Sequence, residues 1–263
     1  SLGAKPAWQR IVVLGAGAFM NALLAIVLFA IVFMIPQDTR VGDLTVVAVA
    51  PGSPAAEAGI ARGDVIRKVN GRTIENFGDL SFQYQLRRGA TATTIVERNG
   101  EAVPIDVIPR WKVPAGEGPT GITIDLFNDR FVSRSEPIWG AIPKAGKRIG
   151  DTVVLMKNGI SAWFVGNNSP LDEISGPVGI AQVTGEVAGL GVIPLLTFAA
   201  VLSLNLAIMN VLPIPALDGG RLFFIAIEVI RRGKRIPPHK EALAHATGFA
   251  LLMVMFVAVT YND

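Results

Sequence analysis

The stretch "IVVLGAGAFMNALLAIVLFAIVFMI" (Ile11–Ile35) contains no Asp, Glu, Lys or Arg, and Asn21 is its only strongly polar residue. A helix needs about 20 apolar residues to cross a bilayer. Two further runs have the same character, one within Val187–Leu217 and one over Ala242–Asn262. Because three such runs are hard to accommodate as buried helices of a soluble core, they predict a polytopic α-helical membrane protein in contact with the lipid bilayer.

The composition of the 263-residue chain agrees with this fold class. Charged residues make up 17% of the chain and hydrophobic residues 51%, whereas soluble domains have about 25% charged residues. The net charge of +3 is small and scattered, so no nucleic-acid partner is expected. The chain has no cysteine, which excludes disulfides and thiolate metal sites.

Lysine and arginine near the ends of membrane spans predict how the spans are oriented. Lys5 and Arg10 precede the first run, and a basic loop follows the second. Three spans put both segments on the same side, so both indicate the cytoplasm. The long region between the first two runs is then periplasmic or otherwise extracytoplasmic. The basic residues of the loop are Arg221, Arg231, Arg232, Lys234, Arg235 and Lys240.

Residues 38–110 have the patterns of a small αβ domain. Ser53 in "PGSPAAEAGI" predicts the N-cap of a short helix, and Asn70-Gly71 and Asn99-Gly100 each predict a hairpin turn. The phrase "PGSPAAEAGIARGDVIRKVNGRTI" resembles a bacterial PDZ domain. The resemblance implies an inserted PDZ-like domain that binds an extended peptide or chain terminus by adding a strand to a sheet edge. A spacer that binds nothing is the alternative.

The remaining segments complete a prediction of six regions. "SEPIWGAIPKAGKRIGDTVVLMKNGISAWFVG" mixes large apolar residues with lysine and arginine, which is typical of an amphipathic segment on a membrane surface. The predicted regions are a cytoplasmic flank and transmembrane helix at 1–37, the αβ domain at 38–110, a connector with the amphipathic segment at 111–186, a transmembrane segment at 187–223, a basic cytoplasmic loop at 224–241 and a transmembrane helix at 242–263.

The stretch "NVLPIPALDGGR" (Asn210–Arg221) closes the second apolar run with residues that disrupt a helix. Each proline removes a backbone donor, and irregular backbone at membrane depth is tolerated only where it is buried in protein or lines a cavity. Asp218 brings a carboxylate to this position, and an intramembrane ionisable residue indicates a functional site. The alternative is that Asp218 only caps a helix at the interface, beside Arg221.

The pattern Asn-x-x-Pro-x-Pro-x-x-Asp-Gly in this stretch resembles the metal-ligand motif of the site-2 protease family of intramembrane zinc metalloproteases. "SGPVGIA", the PDZ-like insertion and the opening "KPAWQRIVVLGAGAFMNALLAI" resemble the bacterial, PDZ-containing branch that cleaves membrane-bound anti-sigma factors. The resemblance covers essentially the whole chain. It implies a multi-pass protein of the bacterial inner (plasma) membrane.

The resemblance also implies roles for individual residues. Asp218 would be the third protein ligand to Zn²⁺, which activates a water for attack on a peptide bond of a transmembrane protein substrate. The substrate would be held by the segment before it, which contains Asn205, Asn210, Pro213 and Pro215.

The other two zinc ligands and the general-base glutamate of this family come from His-Glu-x-x-His on an earlier transmembrane helix. The chain has two histidines, His239 and His245, whose spacing turns them to different faces of a helix, so we interpret them as structural or interfacial. We therefore expect an incomplete zinc site with no catalytic residue in this chain, the missing helix before residue 1, and no activity of this chain alone.

Two other functions fit parts of the sequence. A membrane adaptor or pseudoprotease would use the PDZ-like domain to bind peptides and would have lost the metal. The presence or absence of His-Glu-x-x-His upstream separates this function from the protease. A small transporter would explain a broken intramembrane helix, but it predicts paired half-helices in repeated positions, and only one break is visible.

Overall fold

The structure is a computed structural model that describes residues 5–165, 176–231 and 237–262. The chain divides into two compact units. The helical unit comprises Ser1–Ile35, Glu136–Ile149 and Pro170–Asp263, and the sheet unit comprises Pro36–Ser135 and Gly150–Ser169.

Three helices of the described residues are long and apolar enough to cross a membrane, which confirms the prediction of three membrane-length helices. Proline and glycine set several of their ends. Gly191, at φ 114°, separates α5 (Pro177–Gly189) from α6 (Val192–Val211), and Pro213 follows the end of α6 because proline cannot continue the hydrogen-bond ladder. The helices outside the sheet unit are α1 (Ala7–Met34), α5 (Pro177–Gly189), α6 (Val192–Val211), α7 (Asp218–Ile230) and α8 (Pro238–Asn262).

The helix bounds differ from the predicted regions in two places. The range 187–223, predicted as a transmembrane segment that carries the Asn-x-x-Pro-x-Pro-x-x-Asp-Gly motif, holds the end of α5, all of α6, a loop and the start of α7. The third long helix begins at Pro238, ahead of the predicted residue 242, because a proline is well tolerated in the first turn of a helix.

Small residues allow close packing in the core of the helical unit. Ala141 and Ala145 of α4 (Ile138–Val165) and Ala200 of α6 surround Phe29 of α1, and all four are buried. Farther along, the Ser203 hydroxyl donates to the Asn21 carbonyl oxygen over 2.9 Å. Such contacts are typical of helix packing in membranes.

The helices α1 and α6 run antiparallel. Ala200, in the first half of α6, packs at Phe29 near the end of α1, whereas Ser203, further along α6, bonds to Asn21, which is earlier in α1. The end of α6 therefore points towards the start of α1. This places the loop after α6 on the same side of the helical unit as Arg10.

The sheet unit is built on one antiparallel sheet in the order β5-β4-β2-β1-β6, with β3 paired to β2. Its strands are β1 (Gln37–Val49), β2 (Val65–Val69), β3 (Arg72–Thr73), β4 (Ala92–Arg98), β5 (Glu101–Val107) and β6 (Ile122–Arg134), and its short helices are α2 (Pro54–Ala58) and α3 (Phe77–Leu86).

The sheet extends beyond the predicted domain end at residue 110. β6 pairs with β1 in a register that places Leu126 opposite Leu44 and Ile124 opposite Val46. Leu126, Leu44 and Val46 belong to the buried core of the sheet, and Ile124 packs against it. The alternating apolar residues of "ITIDL" thus complete the core, so the sheet itself continues to residue 134.

The local signals of this region are confirmed. The Ser53 hydroxyl accepts a hydrogen bond from the Ala56 N–H over 3.3 Å, which caps α2. Asn70-Gly71 joins β2 to β3 and Asn99-Gly100 joins β4 to β5, with positive φ at all four residues. This conformation is the one that two-residue hairpins require.

The sheet core also contains a satisfied carboxylate. Asp64 is 1% exposed and accepts two 2.7 Å hydrogen bonds from the Arg98 guanidinium and one of 2.9 Å from the Ala61 N–H. Burial acts to raise the pKa of Asp64, but the hydrogen bonds and charge of Arg98, with the Ala61 N–H, outweigh it and lower that pKa.

The predicted amphipathic segment forms α4, whose residues belong to both units. Within the helical unit, Ile138, Trp139 and Ile142 are exposed on its first turns. Within the sheet unit, the Asn158 amide donates to the carbonyl oxygens of Gln85 and Leu86, which satisfies the end of α3.

Candidate functional site

The residues 212–217 form an irregular loop that folds back on the start of α7. The Ile214 N–H donates to the Leu212 oxygen over 2.7 Å, and the Gly220 N–H donates to the Leu217 oxygen over 3.1 Å. A methyl group on Gly219 would lie 2.1 Å from the Leu212 oxygen, and one on Gly220 would lie 2.5 Å from the Ile214 oxygen. The Gly-Gly pair is therefore required because the loop backbone passes directly over it.

Ala216 adopts a strained conformation in this loop. Its φ is 83°, in the left-handed region that a residue with a Cβ rarely adopts. Such a conformation costs about 1–3 kcal/mol and persists only where the surroundings hold it. Its N–H donates to Nδ1 of His245 on α8 over 2.9 Å.

Asp218 is the first residue of α7, and the N-cap is Leu217, which makes no side-chain capping bond. The carboxylate lies where the helix dipole favours a negative charge. Among the described residues it has no hydrogen-bond or ion-pair partner, and it does not pair with Arg221. The partner expected for a residue that only caps or pairs at an interface is therefore missing.

The four residues predicted to bind substrate lie on α6 and in the loop. Asn205 and Asn210 are half-buried residues of α6, and Pro213 and Pro215 are exposed in the loop. The Asn205 Oδ1 atom is buried without a hydrogen-bond partner in the described part of the chain. The two prolines thus lie within the irregular segment, Asn210 lies just before it on α6, and Asn205 lies more than a turn before it.

The two histidines occupy different environments on α8. His239 is exposed in the first turn, whereas His245 is half-buried against the loop. In residues 5–165, 176–231 and 237–262, no three His, Cys, Asp or Glu side chains come together as a metal site. A catalytic zinc requires three protein ligands, so the described residues do not by themselves complete a zinc site.

An apolar cavity of about 520 Å³ lies beside the loop. Ala216 and Leu217 form one wall of this cavity, Ile180 of α5 another, and Phe249 and Phe256 of α8 a third. The cavity therefore opens an apolar space next to the backbone that precedes Asp218.

Two tertiary contacts of the helical unit, one between α1 and α7 and one at the loop before Asp218, are not predicted by the sequence. Arg10 of α1 donates to Glu228 of α7 over 2.6 Å, and both side chains are only 12% exposed. The second is the His245 contact with Ala216. Their partners are 218 and 29 residues apart in the chain, so no local pattern predicts either contact.

Comparison with known proteins gives a match over nearly the whole chain. The model of "Peptidase family M50" matches residues 2–255. "Regulator of sigma-W protease RasP" of Bacillus subtilis (strain 168) is 36% identical over 265 residues, covering 99% of this chain and 60% of its own length. "Zinc metalloprotease RasP" of Geobacillus kaustophilus (strain HTA426) is 36% identical over 264 residues, again covering 99% of this chain and 60% of its own.

The chain is shorter than these relatives. It spans 60% of the length of the two RasP proteins. It spans 71% of a relative in Rhizobium meliloti (strain 1021), which is 35% identical over 269 residues and covers all of this chain.

Proposed function

Because the chain belongs to peptidase family M50, a family of zinc metalloproteases, we propose that the complete protein is an intramembrane zinc metalloendopeptidase. The observation that carries this proposal is Asp218. Its carboxylate stands without a partner among the described residues, at the end of an irregular loop between apolar helices. Placing a charged group at such a position costs free energy, so an ionisable residue there indicates a functional site.

In this proposal Asp218 supplies one carboxylate ligand to zinc. Bound zinc lowers the pKa of its water and polarises a substrate carbonyl. The other ligands and the general base come from residues outside the 263, since the two histidines of this chain are separated and one of them is bound to the loop backbone. Asp218 is held by the loop, the Gly-Gly contact and the first turn of α7.

The proposed substrates are single-span membrane proteins of the anti-sigma-factor class. The apolar cavity beside Ala216 and Leu217 suits an apolar segment, and the loop and Asn210 offer polar groups for a substrate backbone that has lost its helical hydrogen bonds. Asn205 has a buried acceptor in need of a donor. Pro213 and Pro215 keep the segment from becoming helical.

Removal of the metal tests this function. The complete gene product, treated with a chelator in detergent, should lose cleavage of a transmembrane substrate down to background, because a water without zinc is a poor nucleophile. Added Zn²⁺ should restore cleavage. Full cleavage by protein whose zinc content has fallen to zero would contradict the proposal.

For the sheet unit we propose a PDZ-like domain that binds an extended peptide or a chain terminus. β6 is an edge strand that pairs only with β1 in the described sheet. Phe127 and Phe131 on this strand are 48% and 73% exposed. Strand addition at such an edge provides main-chain hydrogen bonds and side-chain contacts. A membrane adaptor would use the same surface. The two functions differ in the sequence outside these 263 residues, where a protease would have His-Glu-x-x-His and an adaptor would not.

We further propose a multi-pass protein of the bacterial inner membrane, with the sheet unit extracytoplasmic. The basic residues around the start of α1 and after α7 support this orientation. The exposed Ile138, Trp139 and Ile142 support α4 lying at the membrane surface, since their helix turn packs near the end of α1.

Reporter fusions at residues 100 and 233 test this orientation. A periplasm-active reporter should work at residue 100 and fail at residue 233, and a cytoplasm-active reporter should give the reverse pattern. The reason is that short loops rich in lysine and arginine stay on the cytoplasmic side of the membrane. Activity of one reporter at both positions would overturn the orientation.

A further inference from the structure

The loop before Asp218 rests on one face of α8. Ala216 donates its N–H to His245 over 2.9 Å. A methyl group on Gly248 would lie 2.5 Å from Pro215 Cβ and 2.6 Å from the Pro215 oxygen. His245 and Gly248 are three residues apart and therefore share a helix face. Two consecutive loop residues are thus held by two neighbouring positions of the same helix.

The hydrogen bond fixes the form of the imidazole. An N–H can donate only to a ring nitrogen without a proton, so Nδ1 is the acceptor and Nε2 carries the proton of the neutral ring. The ring of Phe224 on α7 meets the imidazole edge-on, with centroids 5.7 Å apart. His245 therefore contacts both the loop and the helix that begins with Asp218.

We propose that His245 is a positioning residue for Asp218. It holds Ala216, two residues before Asp218, in its left-handed conformation, and so sets the direction of the carboxylate. This inference rests on the proposed function, in which Asp218 binds zinc. Groups that orient a metal ligand typically change metal affinity or activity about 10- to 100-fold when they are replaced.

The hydrogen bond itself can be tested without any activity. In the complete protein labelled with ¹⁵N-histidine, the signals that disappear in His245→Asn belong to His245, and those that disappear in His239→Gln belong to the other histidine of α8. We expect an unprotonated, hydrogen-bonded Nδ1 and a protonated Nε2. A proton on Nδ1 would overturn the inference, because that atom would then be unable to accept from Ala216.

Substitution tests the positioning role in the complete protein. His245→Leu keeps the approximate volume and removes the acceptor, so zinc affinity and cleavage should fall about 10- to 100-fold. His245→Asn should restore most of both, because its Oδ1 atom can replace Nδ1 as the acceptor. His239→Gln, at the exposed histidine of the same helix, is the matched control and should behave as wild type.

Gly248→Ala tests the same contact between α8 and the loop while leaving the His245 side chain unchanged. The new methyl would collide with Pro215 and displace the loop, so cleavage should fall although alanine favours helix. Gly185→Ala on α5, where a methyl meets nothing within 4 Å, is its control.

The outcomes separate the two levels of the proposal. Wild-type protein that neither binds zinc nor cleaves would overturn the proposed function and with it the role of His245. Active wild type with normal zinc affinity in His245→Leu would overturn the positioning role alone. Equal losses in His245→Leu and His245→Asn would also overturn it, because the acceptor would then be irrelevant.

Discussion

Asp218→Asn should abolish proteolysis by the complete protein while leaving it inserted and abundant. Asparagine keeps the shape of the side chain, but its neutral amide oxygen is a much poorer zinc ligand than a carboxylate. Replacing a group that merely orients a ligand typically costs about 10- to 100-fold. Loss of a direct ligand should therefore reduce cleavage of a transmembrane substrate by at least about 100-fold.

The same substitution separates a ligand from a helix cap. Asparagine caps a helix about as well as aspartate, so the change would be nearly harmless if Asp218 only stabilised the start of α7. Asp38→Asn, at an exposed aspartate of β1, is the matched control and should retain full cleavage. Asn210→Ala should differ in kind, with zinc content kept and turnover reduced through weaker substrate positioning.

Breaking the Arg10–Glu228 pair should give the largest loss of stability in the helical unit. The two groups are 2.6 Å apart and each side chain is 12% exposed. Removing one partner of a buried pair leaves an uncompensated charge and typically costs about 3–5 kcal/mol. Glu228→Leu, which removes the carboxylate that pairs with the half-buried Arg10, should lower the free energy of unfolding by up to this amount, measured by circular dichroism during denaturation in mixed micelles.

The double variant is the informative control for this pair. Arg10→Leu with Glu228→Leu removes both charges, so it should be more stable than Glu228→Leu alone, which leaves the Arg10 charge in place. Lys144→Met breaks the exposed Lys144–Glu136 pair of the same unit and should change stability little. Unfolding of Glu228→Leu at the wild-type denaturant concentration would show that the Arg10 charge is not buried as described.

Much of the fold follows from local patterns in the sequence. The uncharged run in Ile11–Ile35 has the length and composition of a helix that crosses a bilayer. The helix α1 covers nearly all of this run. Ser53 and the two Asn-Gly turns act within a few residues, so their effects are readable from the sequence alone. No local pattern specifies the pairing of β6 with β1, because it joins segments about 80 residues apart in the chain.

The candidate site also combines features that local sequence patterns predict with features that they do not. The prolines and Gly-Gly predict an irregular backbone around Asp218, and the loop 212–217 has this form. His245 reaches the loop through tertiary packing, from a helix whose rotation no local pattern determines. The role proposed for it depends on the assembled helical unit, which no short stretch of sequence specifies.

The central claim is that Asp218 binds zinc, and X-ray absorption at the zinc edge of the complete protein tests it most directly. In wild type we expect a light-atom shell that includes a carboxylate oxygen at about 2.0–2.2 Å. Asp218→Asn should lose that oxygen from the shell or lose the zinc altogether. An identical zinc shell and stoichiometry in wild type and Asp218→Asn would contradict the claim.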